Sequence, residues 1–508
     1  MNWLTIFFAG CDGSGLKREE GTMDRKLKRR DFVKATATGA VLGLSAGRIF
    51  GAEGKPLGSP ILSPGSRRSK VRVAKVYLGR PGALWPTPKM DLNQEVQRYE
   101  GEFARRPKDF ADVDFTLTEL VTTLEQVKAI LPRLKDVDGV LAMHLSMGVT
   151  EFLREVLAAG KPTVLYAAPY SGHEWTAFGS IRREKIGTLL ECMLTSDPSQ
   201  LAAAVRPFRA IHHLREAKIL DVTANTPWPE YVKAVKEKFG TEIVQVTRER
   251  MLGVYDSIDP AAAEAEAKKW IEKAEKIIEP PRDEIVKSCR LALAFEKILA
   301  DENATVITVD CYGSMYRQLP AFPCIGNTRL NDMGLGGICE SDLQSAMTHI
   351  IFQGLVGKPG FISDPTVDES TQSIILAHCL GSTKMDGPDG EAAPYKLRCI
   401  MERQEGAVTQ VKMRPDQKVT QAELIGTDLM LYFTGTVIEI PDHDRGCRTK
   451  INVRVDGDIE ALWQNWSHGL HRQTCYGDIT ADLRRFCRFK GIRLVDEAVP
   501  PKLEEKPV

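Results

Sequence analysis

Val140-Leu-Ala-Met-His-Leu-Ser-Met-Gly-Val-Thr-Glu151-Phe-Leu-Arg-Glu-Val-Leu-Ala-Ala159-Gly-Lys-Pro-Thr163-Val-Leu-Tyr-Ala is the stretch whose reading decides the fold. It opens with a short apolar strand, passes through an amphipathic helix over 151–159, turns at Gly160-Lys-Pro, and enters a second apolar strand at Thr163. Two strands joined through a helix run parallel, because such a crossover is too long for a hairpin. Upstream, Val71-Arg-Val-Ala-Lys-Val-Tyr-Leu is another strand of this sheet. Downstream the rhythm restarts at Ala217-Lys-Ile-Leu-Asp-Val, with a helix over 229–239 and a strand at Glu242-Ile-Val-Gln-Val. An Ala/Glu/Lys-rich helix over 260–277 is broken by Pro280-Pro281. A second helix then runs to about Leu299, and Val306-Ile-Thr-Val-Asp is a buried strand.

After Gly381 the texture changes. Strand-like segments at 396–401, 407–413, 422–425, 430–438 and 450–455 follow one another without regular helices, which predicts an antiparallel barrel or sandwich. Helices are expected over 459–466 and 482–490, and a last strand over 492–495. The predicted organisation is an N-terminal extension and signal over 1–52, a linker over 53–70, a first α/β domain over 71–216, and a second over 217–380. A mostly β, barrel-like domain with a final helix occupies 381–508. A chain of 508 residues is too long for one core, so several domains are expected.

Lysine plus arginine and aspartate plus glutamate both number 68. This balance argues against a nucleic-acid or polybasic membrane partner, since no excess charge exists to attract either. Eleven cysteines stand singly, with no Cys-x-x-Cys pair. They make a poor disulfide framework and a poor zinc-ribbon signal, and read as small buried apolar residues.

The front of the chain reads as an address. A basic segment, Arg25-Lys-Leu-Lys-Arg-Arg-Asp-Phe-Val-Lys, precedes a short run of Ala, Gly, Thr, Val and Leu, which is too short and weakly apolar for a membrane span. Arg29-Arg30-Asp-Phe-Val-Lys resembles a twin-arginine export signal, so the twin-arginine translocase is an expected partner and the periplasm, or another extracytoplasmic space, the expected location. Translation is expected to begin at Met23. Residues 51–70, rich in Gly, Pro, Ser and Lys, read as a linker.

Four residues carry the chemistry. Glu340 lies in Gly336-Gly-Ile-Cys-Glu-Ser-Asp, read as a glycine-rich turn that opens an apolar helix. Asp364 lies in Gly357-Lys-Pro-Gly-Phe-Ile-Ser-Asp-Pro, where a short apolar strand ends in a carboxylate. His378 closes the strand Ile374-Ile-Leu-Ala-His, and His471 lies in His468-Gly-Leu-His-Arg-Gln-Thr-Cys-Tyr-Gly-Asp. Carboxylates with imidazole form a hard donor set that suits Mn²⁺ or Mg²⁺ better than a thiolate site would. Singly, each has a plainer explanation. Glu340 could complement a helix dipole, Asp364-Pro365 could be a turn, and the two histidines could be hydrogen-bonded core residues. His144, His173 and Trp85 in the first domain are further polar and aromatic candidates. His212-His213 reads as a cap or a solvent-facing pair.

Cys339-Glu-Ser-Asp-Leu-Gln-Ser-Ala-Met-Thr, Gly357 through Asp364, Leu376-Ala-His-Cys, and His471 through Tyr476-Gly-Asp together resemble the L-fucose/L-arabinose isomerase superfamily, and most of all its fucose-isomerase-related branch. The resemblance is best over about 300–500. It implies two Rossmann-like α/β domains with parallel sheets and a mostly antiparallel β domain. It also implies a Mn²⁺ site at Glu340, Asp364 and His471, with His378 as a further ligand in the arabinose branch, and a homo-oligomer, trimeric or hexameric. Asp342 is expected to orient a ligand. The implied activity is aldose–ketose isomerisation of a monosaccharide through a metal-stabilised enediolate, with Glu340 and Asp364 sharing the proton transfer. Other chemistry on a sugar or sugar acid at the same metal, or sugar binding without turnover, are the alternatives.

Overall fold

The computed structural model describes residues 68–500. The signal segment, the Met23 start and most of the linker fall on residues 1–67, outside the described residues, as do the last eight.

Five parallel strands make the first sheet: β1 (Val71–Leu78), β2 (Val113–Val121), β3 (Gly139–His144), β4 (Thr163–Ala167) and β5 (Leu190–Leu194), in the order β2-β1-β3-β4-β5. β3 and β4 are buried along their whole length. A parallel strand covered by helices on both faces needs such a continuous apolar run. The helix between them, Thr150–Ala158, buries Phe152, Leu153, Val156 and Leu157, the face its periodicity predicts.

The second sheet is also parallel. It contains β6 (Lys218–Val222), β7 (Glu242–Val246) and, after the two-residue β8 (Lys276–Ile277), β9 (Val306–Val309) and β10 (Gly336–Cys339), ordered β10-β9-β6-β7. The chain leaves β6 to one side and returns to the other at β9. The carboxyl ends of β6 and β9 therefore form a switch point, where open α/β sheets leave a crevice.

The rest is antiparallel: β11 (Phe361–Asp368), β12 (Ser373–His378), β13 (Tyr395–Arg398), β14 (Val408–Val411), β15 (Lys418–Ile425), β16 (Leu429–Glu439), β17 (Thr449–Val455), β18 (Arg472–Tyr476) and β19 (Arg493–Asp496). Strands pair in the order β15-β18-β11-β12-β17-β16, and β16 pairs back to β15, which closes a six-stranded barrel. β19 adds to β16 in parallel, while β13 and β14 join β8 in a small separate sheet. Phe361, Leu376, Phe433, Ile451 and Val453 are among its core residues, each worth about 1.5–3 kcal/mol when fully buried.

The fold class is the expected one: parallel α/β sheets followed by an antiparallel barrel. The strands differ in two places from the sequence reading. β11 and β12 pair into the barrel, although they were assigned to the second α/β segment. Only Glu369–Gln372 separates them, and so short a link forces a hairpin. Asp364 also sits within β11 and does not end it. Second, Gly336-Gly337 is strand, not turn. A Cβ on Gly337 would stand 2.4 Å from Asn327 Cα, so the glycine lets β10 approach the helix Cys324–Asp332.

The helix Leu343–Val356 joins the two halves. It is buried almost throughout, and it packs with Ala422, Leu424, Met430 and Cys475 of the barrel and with Ile219 and Val306 of the second sheet. Whatever precedes this helix is thereby held at the seam. Among the described residues, no helix is long and apolar enough to cross a membrane.

Candidate metal centre

β10 stops at Cys339, and two non-glycine residues in the left-handed region follow: Glu340 (φ 65°) and Ser341 (φ 51°). Such residues cost about 1–3 kcal/mol each and persist only where neighbours hold them. Here the Ser341 hydroxyl donates to Asp221 Oδ1 at the end of β6, 2.6 Å away. Asp342 then caps the helix by accepting from the Ser345 amide (2.9 Å) and hydroxyl (3.0 Å). Held in this way, the Glu340 carboxylate reaches the barrel rather than continuing the strand.

The barrel supplies the other three side chains. Asp364 lies in β11 and His378 ends β12, while His471 immediately precedes β18. That last strand is anchored by Arg472, which is fully buried and donates twice to Glu497 (2.8 and 3.1 Å). His471 Nε2 lies 3.3 Å from Asp364 Oδ1 and 3.8 Å from Glu340 Oε2, and His378 Nδ1 lies 3.6 Å from Asp364 Oδ2. Donor atoms of Glu340, His378 and His471 all fall within 4.8 Å of one another. An octahedral ion with ligands at about 2.1 Å sets neighbouring ligands about 3 Å apart and opposite ones about 4.2 Å apart. The observed separations fit that range with small adjustments.

Asp342 fixes the ring. His471 Nδ1 donates to Asp342 Oδ2 (2.9 Å), which leaves Nε2 free to face Glu340 and Asp364. His471 Nε2 and both nitrogens of His378 are buried and make no hydrogen bond. An unsatisfied buried polar atom costs about 1–3 kcal/mol unless a ligand takes it. These three nitrogens are the reason the residues suit an ion.

The electrostatics agree. Burial raises Glu340 above the ordinary carboxylate range, and His378 and His471 offset this only in part. Burial would raise Asp364 too, but the two imidazoles outweigh it and hold the group well below the usual range. Burial alone would lower His471; Asp342 and Asp364 outweigh it and hold the ring up to about 10. The three carboxylates gathered round this ring draw positive charge toward the site.

A cavity of about 370 Å³ opens beside Glu340 at the switch point, lined also by Asp221, Thr223, Asn225, Trp228, Tyr231, Asp310 and Asp342. Burial holds Asp221 up to about 6. Trp228 is 62% exposed and stacks on Tyr231, with centroids 5.7 Å apart. The sequence reading passed over these residues. Asp221 and Asp310 did carry a signal, since each is a carboxylate at the carboxyl end of a parallel strand.

The structure thus gathers Glu340, Asp364, His378 and His471, with Asp342 behind His471. It leaves the other candidates elsewhere. His468 is exposed in the loop before β18. His144 is fully hydrogen-bonded in the first domain, and Trp85 meets His173 edge-on at 5.7 Å. The solvent-facing reading of His212-His213 is corrected: both are buried, and His212 Nδ1 pairs with Asp138 Oδ2 at 2.8 Å. Asp138 comes from a distant part of the chain, so local sequence could not show it.

No protein-family model matches this chain. It is similar to the sulfoquinovose isomerase of Alkalicoccus urumqiensis, 21% identical over 276 residues, which are 51% of this chain and 59% of that protein. It is also similar to the sulfoquinovose isomerase of Clostridium sp. (strain MSTE9), 24% identical over 214 residues, 38% of this chain and 44% of that protein. The chain spans about half the length of the curated relatives it matches.

Proposed function

We propose that this protein is a divalent-metal-dependent isomerase that interconverts an aldose and a ketose, with Mn²⁺ as its ion, and that it works outside the cytoplasm. The observation that carries the reading is the set of unsatisfied buried imidazole nitrogens facing Glu340 and Asp364, with Glu340 itself lining an open cavity. The isomerase relatives support the reaction class. The twin-arginine resemblance supports the location.

Glu340, Asp364, His471 and His378 would hold the ion, which supplies Lewis-acid polarisation of adjacent sugar oxygens. The chain's own residues carry the proton. Glu340 lines the cavity, which places its carboxylate to move a proton between C1 and C2. Asp364, pinned between two imidazoles, holds charge. Asp342 keeps Nε2 of His471 turned inward. Trp228 offers a flat apolar face against which a sugar ring can lie.

The cavity also bears on substrate charge. Four carboxylates line it, and no lysine or arginine does among the described residues. The relatives are named for a sulfosugar, and an anionic sulfonate would need a cationic partner. We therefore assign this chain an uncharged monosaccharide.

The test is solvent exchange at C2. Mn²⁺-loaded protein and its Glu340→Gln variant are incubated in D₂O with neutral pentoses, hexoses and 6-deoxyhexoses, and with sulfoquinovose. Deuterium at C2 of a neutral sugar, in wild type only, is the expected result. Exchange on sulfoquinovose alone overturns the substrate assignment. No exchange on any sugar despite bound Mn²⁺ overturns the isomerase and leaves other metal chemistry or sugar binding.

A further inference from the structure

Eight of the ten described cysteines are buried. Four of the buried ones and the half-buried Cys447 form a run of neighbouring thiols, Cys311–Cys339–Cys324–Cys379–Cys447. Four strand ends and the start of the helix Cys324–Asp332, from both halves of the molecule, supply this run, so no spacing rule could reveal it. At its outer end stand Cys379, which follows His378, Cys447, which precedes β17, and Glu402, in the turn after β13. Their donor atoms all lie within 4.8 Å of one another, and Cys447 Sγ is 3.1 Å from Glu402 Oε1. Tyr312 closes a fourth side, its hydroxyl 3.8 Å from Cys379 Sγ and 3.4 Å from Glu402 Oε2.

Two thiols, a carboxylate and a phenol in this arrangement differ in kind from the first centre. A tetrahedral zinc-class ion with ligands at about 2.0–2.3 Å separates them by about 3.3–3.8 Å, close to the spacing found. Thiolates select thiophilic ions over Mn²⁺ or Mg²⁺. Cys379 is buried, Cys447 half-buried and Glu402 exposed, which gives an ion a way in from solvent. Asp364 stands between the two centres: Oδ1 faces His471, and Oδ2 is 3.9 Å from Cys447 Sγ.

We propose that Cys379, Cys447 and Glu402, with Tyr312 beside them, form a second metal site for a thiophilic divalent ion of the zinc class, distinct from the Glu340–His471 centre. Both sulfurs would bind as thiolates. The site does not depend on the isomerase reading.

Co²⁺ is a direct probe, because thiolate-bound Co²⁺ gives a charge-transfer absorption that carboxylate and imidazole ligands do not. The reduced full chain, preloaded with Mn²⁺, is titrated with Co²⁺. One equivalent should develop the thiolate band. Cys447→Ser should weaken Co²⁺ binding at least about 10-fold and reduce the band. Glu402→Ala, an exposed change that cannot disturb the core, should weaken binding about 10-fold. Glu340→Gln should keep the band, which separates this site from the first centre. Absence of the band in wild type, or unchanged affinity in Glu402→Ala together with an unchanged band in folded Cys447→Ser, overturns the proposal.

Discussion

The carboxyl end of the first parallel sheet and the seam between the second sheet and the barrel hold the same residue types in opposite states. At the end of β3, His144 Nδ1 meets the Ser171 hydroxyl at 2.8 Å and Nε2 meets Glu174 Oε2 at 2.9 Å. Glu174 in turn accepts from the Gly148 amide (3.0 Å) and the Thr150 hydroxyl (2.7 Å). Every polar atom of this imidazole is used. Beyond β10, His378 has neither nitrogen used and His471 only one. Histidine and carboxylate side by side therefore do not mark a reactive site. The unfinished hydrogen bonding does, because a buried nitrogen without a partner is stable only if something outside the chain completes it.

That contrast can be tested by exchanging the roles of matched residues. The largest effect is expected for Glu340→Gln, which should slow sugar C2 exchange about 10²–10⁴-fold without lowering the unfolding temperature. His144→Ala should leave exchange within about 2-fold; equal losses in the two variants would erase the distinction. Next, Asp342→Asn should weaken Mn²⁺ binding about 10–100-fold, read by calorimetry, because His471 loses the acceptor that orients it. Glu174→Gln, in the same relation to His144, should leave Mn²⁺ affinity unchanged.

A smaller effect runs the other way. His144→Ala should cost about 1–3 kcal/mol of stability by stranding Ser171 and Glu174, seen as a lower denaturant midpoint. Mn²⁺ should stabilise both it and wild type equally. The smallest effect concerns acid. Burial opposes ionisation of Glu174, but its bonds to His144 and Thr150 prevail and hold its pKa at about 2. A depressed folded-state pKa adds stability that is complete above about pH 4.5 and lost as the pH falls toward 2. Glu174→Gln should flatten that part of the pH–stability curve, and a parallel curve would count against the pairing.

The two α/β segments and the barrel were legible because each rests on periodicity, a property of consecutive residues. Continuous apolar runs such as 140–144 and 163–167 leave no option but doubly covered strands. The partition of strands was less legible. Phe361-Ile-Ser reads equally well as a parallel or an antiparallel strand, and the four-residue link to β12 decided it. Glu340, Asp364, His378 and His471 could be singled out by their flanks. Neither the unsatisfied nitrogens nor the left-handed turn at Glu340 could, since both depend on what lies opposite.

The sequence by itself determined the order of α/β and barrel segments, the absence of a net charge, and the hard donor set at positions 340, 364, 378 and 471. Only the tertiary structure decided that strands from the barrel and a turn from the second sheet bring those donors together. It alone also joined Cys379, Cys447 and Glu402 beside them. The physical reason is distance along the chain. Local pattern governs which elements form, but a site with ligands more than a hundred residues apart exists only after the helix Leu343–Val356 has packed the barrel against the sheet.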